Sequence, residues 1–271
     1  MSKIVFIGGG NMASCLIGGM LANGFSSHDI MVSEPNEASR QRIASTHGIL
    51  TTKDNIAAVS QADIVVLAVK PQILGAVASP LATALGHGPI VVSIAAGIPV
   101  SALQNWLGQT LKIVRAMPNT PAMVQSGATG LFASQSLSAD QQSIIENIFT
   151  AVGYACWVDQ ESQIDAVTAV SGSGPAYFFL IYEAMLKVAQ ELGLDNQTSS
   201  QLTLHTALGA ARLALASDKT PEELRQQVTS PGGTTQAAIE SFQSQDLENV
   251  FRVAMTGALD RAKEMSDDFA G

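Results

Sequence analysis

Lys3-Ile-Val-Phe-Ile7 runs straight into Gly8-Gly-Gly-Asn-Met-Ala13, and the apolar helical stretch Leu16 to Leu21 follows. A short apolar strand that ends in Gly-x-Gly-x-x-Ala and opens into a helix has few ways to fold. Gly8 permits the tight turn, Gly10 lets the backbone approach a pyrophosphate, and Ala13 allows the helix to pack closely on the strand. The positive end of that helix, with its bare N–H groups, suits the anion. The front of the chain therefore reads as a dinucleotide-binding parallel sheet.

The pattern downstream agrees. Short β-branched runs alternate with helical ones over residues 3 to 116, as expected for a parallel sheet covered on both faces. Strands are expected at Ile4 to Ile7, Ile30 to Val32, Ile64 to Ala68, Ile90 to Ile94 and Lys112 to Arg115, with a weaker one near Ile49. Two more, Ala128 to Phe132 and Tyr154 to Trp157, bracket a helix from Ala139 to Val152. Polar Asp159-Gln-Glu-Ser162 begins a change of architecture. From there the pattern is helical: Ile164 to Leu192, Thr198 to Ser217, Pro221 to Gln227, a helix with Pro231 in its first turn, and Leu247 to Met265. The expected fold is α/β, a Rossmann-like doubly wound sheet over residues 1–160 followed by an all-α domain over 161–271.

The second domain is unusually apolar. Leu202-Thr-Leu-His-Thr-Ala-Leu-Gly-Ala-Ala-Arg-Leu-Ala-Leu-Ala216 is apolar around most of its circumference, and such a helix must be covered on all sides. About 110 residues form too thin a layer for that, which points to a homodimer whose helices complete each other's core, with burial against the first domain alone as the alternative. The net charge of -9 argues against nucleic acid or an anionic membrane as partner. No run approaches the roughly 18 uninterrupted apolar residues of a membrane span, so a cytoplasmic location is expected. Two cysteines, Cys15 and Cys156, without metal-like spacing, read as buried free thiols, and no metal is expected.

Three consecutive strands end in small, kinked or polar turns. These are Ala68-Val-Lys70-Pro71-Gln72, Ser93-Ile-Ala-Ala-Gly97 and Arg115-Ala-Met-Pro118-Asn119-Thr120-Pro121. At the carboxyl edge of an open sheet they outline a crevice for an extended cofactor. Ser171-Gly-Ser-Gly-Pro-Ala-Tyr177 interrupts the long helix, where Pro175 removes a backbone hydrogen bond. Close helix packing accounts for that motif almost as well as a ligand does. Val228-Thr-Ser-Pro-Gly-Gly-Thr-Thr235 combines bare backbone N–H groups with two hydroxyls at a helix start, a pocket for a carboxylate or phosphate built without charge. Alone, it reads first as a capped helix start with a glycine turn, and the glycine cluster at the other end of the chain turns the reading toward an anion pocket. His28, His47, His87 and His205 lie in loops or on polar helix edges, and none reads as a catalytic base.

Taken together and in order, the motifs at 8–13, 68–71, 93–97, 115–121, 171–177 and 228–235 resemble those of bacterial pyrroline-5-carboxylate reductase, nearly end to end. The resemblance implies the final step of proline synthesis, in which hydride from NAD(P)H reduces the ring imine of 1-pyrroline-5-carboxylate to L-proline. It also implies a helix-swapped homodimer, often assembled as five dimers. Carried onto matching positions, it implies cofactor contacts at Gly8, Gly10, Asn11, Met12, Ser33, Asn55, Ala68, Val69, Lys70, Pro71, Ala95, Ala96, Gly97, Met117, Pro118 and Asn119. The substrate carboxylate would lie on the N–H groups of Ser230 to Thr234, including Gly232 and Gly233. Thr235 would hydrogen-bond the ring nitrogen as the catalytic side chain.

Cofactor choice hangs on Ser33-Glu34-Pro35-Asn36. An acid at the end of the second strand usually selects NAD, and Glu34 would repel a 2′-phosphate if it faced inward. Ser33, Asn36 and Asn55 could donate to that phosphate. The resemblance favours NADPH and leaves NADH use open. Two other readings share these features: another NAD(P)-dependent imine or hydroxyacid reductase of the 6-phosphogluconate-dehydrogenase-like superfamily, and a non-catalytic nucleotide-sensing dimer. The former typically places a catalytic lysine on the long helix, where Lys187 lies about three turns beyond Pro175. The latter has no evident need for the 228–235 pocket.

Overall fold

The computed structural model describes residues 2–270, in two compact units, 1–175 with 257–271, and 176–256. The first is built on an eight-stranded sheet: β1 (Ile4–Ile7), β2 (Ile30–Ser33), β3 (Leu50–Thr52), β4 (Ile64–Leu67), β5 (Ile90–Ser93), β6 (Ile113–Met117), β7 (Gly127–Ala133) and β8 (Gly153–Trp157). Their spatial order is β3-β2-β1-β4-β5-β6-β7-β8. All neighbours pair in parallel except β6 and β7. β1, β4 and β5 are buried at every residue, which explains their unbroken Ile/Val runs.

Each face carries its own core. On one, Phe6, Leu16, Ile17, Met20, Ile43 and Phe149 pack under α1 (Asn11–Ala22), α2 (Glu37–His47) and α6 (Ala139–Thr150). Val5, Ile7, Leu74, Leu103 and Leu107 lie on the other, under α3 (Asn55–Val59), α4 (Pro71–Ala78) and α5 (Val100–Leu107). Packing is close enough to demand small residues. A Cβ at Gly19 would lie 2.3 Å from Val152 Cγ1, and one at Gly130 would lie 2.6 Å from Val167 Cγ2.

The expected strands all form, with ends shifted by a residue or two. The long helix expected at Ile164 to Leu192 is divided: α7 (Gln163–Val167) passes through a π turn at Thr168–Gly172 into α8 (Gly174–Glu191). The turn is closed by Ser173 N–H donating to Thr168 O, five residues back, at 2.8 Å. α9 (Asn196–Leu215) starts early because Asp195 caps it through Thr198 N–H. α10 (Pro221–Gln227) carries a reciprocal Thr220–Glu223 capping box. α11 (Thr234–Ser244) starts three residues later than Pro231 would suggest, because Gly232 turns at φ +71° and Gly233 is extended before the helix begins. α12 (Leu247–Ala270) runs past Met265, the expected end.

In the 176–256 unit the apolar helix surface is uncovered. Phe178, Phe179, Leu180, Leu202, Leu213 and Leu215 are all exposed, and little of α8 and α9 is buried. Leaving such side chains in water forgoes about 1.5 to 3 kcal/mol apiece.

A buried charge cluster ties the first unit together. Arg115 on β6 is 4% exposed and donates through Nη1 to Glu161 Oε1 at 2.8 Å, with Asp165 Oδ1 3.9 Å from its Nη2. Glu161 Oε1 also accepts the Val100 N–H at the start of α5, at 2.7 Å. Burial raises the Asp165 carboxyl above the ordinary range, opposed by Arg115, reinforced by Glu161, and touched by Lys263 and Asp267 of α12. A carboxyl with a raised folded-state pKa holds more protons folded than unfolded between the ordinary and raised values, so its stabilising contribution falls as pH rises through that window. Asp165→Asn should therefore flatten the pH dependence of unfolding just above the ordinary carboxylate range, relative to the parent. An identical slope in urea titrations across pH would show that Asp165 does not titrate differently on folding.

Candidate functional site

The strand order reverses between β1 and β4, and in open α/β sheets ligands bind outside the carboxyl ends at such a point. β1 leads there into the glycine turn. Gly8 has φ +100°, and a Cβ on it would lie 2.8 Å from Val69 Cγ1 and 2.9 Å from Ala68 O. A Cβ on Gly9 would strike Ile43 Cδ1 at 2.3 Å, whereas nothing lies within 4 Å of one on Gly10. Gly8 and Gly9 are thus required by packing, and Gly10 leaves open space beside the start of α1. No side chain caps α1 at Gly10, so the amides of its first turn face that space. Ala13 is buried, as its place in the motif requires.

The structure brings the other expected cofactor residues to the same edge. Ala68, Val69 and Lys70 leave β4, with Pro71 as first residue of the equally uncapped α4. Ala95, Ala96 and Gly97 follow β5. Gly97, at φ +71°, is pressed by Met265 of α12, whose Cβ would be 2.8 Å from a Cβ on the glycine. Met117 ends β6, with Pro118 and Asn119 buried behind it. Asn119 differs from its neighbours in that its amide is engaged by two backbone groups.

At the end of β2, Ser33 donates its hydroxyl to Asn55 Oδ1 at 2.6 Å, joining the two residues expected at the adenosine ribose. Glu34 is turned toward the glycine loop, with Oε2 accepting the Gly9 N–H at 2.9 Å and Oε1 accepting that of Asn36 at 3.0 Å. Arg40 went unnoticed in the sequence, although its place six residues beyond Glu34 was the available signal. Its Nη1 donates to Glu34 O and Pro35 O, which puts a fixed positive charge on the β2–α2 turn.

Within the 176–256 unit, the 228–235 segment forms an uncapped helix start. Gly233 precedes α11 with extended backbone and no side-chain cap. Gly232 N–H donates to Gln236 Oε1 at 2.7 Å and Gly233 N–H to Ser230 O at 3.0 Å. Pro231 has no N–H, so three of the positions from Ser230 to Thr234 have no amide to offer, and the donors without intrahelical partners are those of the first turn, at Thr234, Thr235 and Gln236. Thr235 is half-buried there.

Among the titratable groups, His47 is not on a polar edge alone. Its Nε2 lies 2.7 Å from Ser14 Oγ, and burial followed by Arg42 lowers its pKa. Cys15 and Cys156 are free and half-buried, less enclosed than expected, and burial raises the Cys15 thiol.

Residues 161–265 match the family model for pyrroline-5-carboxylate reductase dimerisation, and residues 3–97 match that for NADP oxidoreductase, coenzyme F420-dependent. A pyrroline-5-carboxylate reductase from Pseudomonas aeruginosa is 51% identical over 265 residues, covering 98% of this chain and 97% of the relative. The chain belongs to the pyrroline-5-carboxylate reductase family. Another member, from Vibrio alginolyticus, is 42% identical over 98% of both chains. Among solved structures, a pyrroline-5-carboxylate reductase from Coxiella burnetii matches with a TM-score of 0.95 at 45% identity, covering 98% of each chain. A Plasmodium falciparum pyrroline carboxylate reductase with NADP bound matches with a TM-score of 0.85 at 27% identity, again over 98% of each.

The turn around Glu34 gives this family member a direct test. Its carboxylate lies against the Gly9 amide, where a negative charge opposes a second anion. Glu34→Ala should improve NADPH use relative to NADH by about 1 to 2 kcal/mol, the size of a partly screened charge contact. An unchanged ratio of kcat/KM for the two cofactors would mean that the carboxylate does not act on the 2′-phosphate.

Proposed function

We infer that the chain is an NAD(P)H-dependent oxidoreductase acting on a cyclic C=N bond, which reduces 1-pyrroline-5-carboxylate to L-proline at the end of proline synthesis. The observation that carries this reading furthest is the pair of uncapped helix starts, at Gly10 and at Gly233. They offer backbone donors for a cofactor's pyrophosphate and for a substrate's carboxylate respectively. Full-length likeness to reductases of this name supports the same conclusion.

The residues fit NADPH. Open space at Gly10 admits a pyrophosphate, the Ser33–Asn55 pair and Arg40 suit the ribose phosphate, and the edge from Ala68 to Pro71, with Ala95, Ala96, Gly97, Met117 and Pro118, would line the remainder. NADPH, when bound, supplies the hydride. Hydride addition to a protonated imine needs position and a dry site more than a strong base, which agrees with the lack of a histidine or acid pair in these motifs. The first-turn amides of α11 would hold the carboxylate, and Thr235 would donate its hydroxyl toward the ring nitrogen and fix the face presented. Thr235→Ala should then lower kcat by roughly one to two orders of magnitude, as expected for losing one oriented hydrogen bond in a dry site, while the NADPH Kd stays near the parent value. Full turnover in that variant would return the motif to a plain helix start.

The working unit we propose is a homodimer, in which the apolar surfaces of α8 and α9 are covered by the partner, with five dimers as the larger assembly and the cytoplasm as location. Gln163–Glu191 is long and apolar enough to cross a membrane by length and composition. It falls within the dimerisation match, and a partner chain accounts for its exposed side chains without a bilayer. Light scattering should give a mass that is an even multiple of 28.2 kDa. A stable, active monomer would overturn the shared core.

A further inference from the structure

We propose that Asn119 is a positioning residue, which holds the π turn at Thr168–Gly172 against the end of β6 by replacing a backbone hydrogen bond that Pro175 removes. In a regular helix the carbonyl of Ser171 would accept from the N–H four residues on. Residue 175 is proline and has none. Asn119 Nδ2 donates to Ser171 O instead, at 2.9 Å, while its Oδ1 accepts the Ala128 N–H at 2.8 Å. The side chain is enclosed, the residue being 8% exposed, so one amide bridges the end of β6, the start of β7 and the break in the helix.

The surrounding contacts make this bridge exact in position. A Cβ on Gly172 would lie 2.7 Å from Met117 Cε, so the π turn rests on the end of β6, and one on Gly130, in the middle of β7, would lie 2.6 Å from Val167 Cγ2 of α7, the residue just before the turn. Ser171 and Thr168 turn their hydroxyls back to Val167 O and Ile164 O. Those hydroxyls stay within the helix, whereas the Asn119 amide reaches from the strand's end to the turn. The two motifs Met-Pro-Asn-Thr-Pro and Ser-Gly-Ser-Gly-Pro are therefore complementary halves of one device: the proline opens a carbonyl and the asparagine fills it. Because Met117 and Pro118 lie on the crevice edge, a displaced π turn displaces that edge too. This assigns Asn119 a role other than cofactor ligand, and it rests on the reductase reading only for its activity assay.

The test compares Asn119→Ala, Pro175→Ala and the double variant with the parent full-length enzyme, whose activity on 1-pyrroline-5-carboxylate is measured first. Inactive parent enzyme would sink the reductase reading and leave the hydrogen-bond coupling to be read from thermal unfolding of the same four proteins. Assayed well below its unfolding midpoint, Asn119→Ala should lose about ten- to hundredfold in kcat, as a displacement of order 1 Å near reacting groups can cost. NADPH Kd, read by fluorescence titration, should change less than about threefold, a shift smaller than the roughly 1 kcal/mol of one ordinary hydrogen bond. In the Pro175→Ala background, where residue 175 regains an N–H, Asn119→Ala should cost measurably less in both kcat and unfolding midpoint. Strictly additive effects would overturn the replacement of one hydrogen bond by the other. A NADPH Kd weakened in step with kcat would make Asn119 a cofactor ligand, and a lowered midpoint with parental kcat would make it structural only.

Discussion

The chain leaves β1 through a glycine whose missing Cβ would lie 2.8 Å from Val69 and 2.9 Å from the carbonyl of Ala68, and the carboxyl edge of the sheet is built around that contact. Because no side chain intervenes, the exits of β1 and β4 run together at the point where strand order reverses. The start of α1 then opens on empty space at Gly10. Interior packing at this density tolerates no added methyl without a shift of the backbone. The same atoms that close the core thus set the position of the first-turn amides of α1, the donors we propose for a pyrophosphate, and this edge inherits the rigidity of the sheet.

A second economy appears where β6 ends. Arg115 is buried within the strand and is neutralised by Glu161, which also receives the first amide of α5. Four residues on, Asn119 reaches the broken helix. One short segment therefore carries a charge cluster that joins β6 to α5 and α7 and an amide that joins it to β7 and the π turn. Buried polar groups of this kind cost stability when a partner is lost, so they hold the segment in one arrangement. A reductase that relies on placement more than on a strong acid or base has reason to fix this edge.

The helical unit behaves differently. α8, α9 and the start of α12 expose large apolar side chains in a single chain, and the segment matches a dimerisation family. In the dimer we propose, its stability would depend on association, as for obligate dimers in general. Charge offers an extra safeguard: at -9 per chain, repulsion between assembled units opposes indiscriminate sticking of these surfaces.

Much of this was legible in the residues. Unbroken Ile/Val runs gave the buried parallel strands, because a strand covered on both faces has no polar side. The glycine spacing marked the turn after β1, and the all-round apolar α9 announced that a partner was needed. Local sequence did not reveal why Gly9 is glycine, since Ile43 is more than thirty residues away and meets it only in the fold. Nor did it show that Glu34 turns to the Gly9 amide, that Gly232 and Gly233 spend their own N–H groups, or that the proline at 175 and the asparagine at 119 answer each other. Periodicity and turn chemistry act over a few residues and are written in the chain itself. Hydrogen-bond partners and close approaches between distant segments exist only once the sheet has brought those segments together, and there the tertiary structure alone decides.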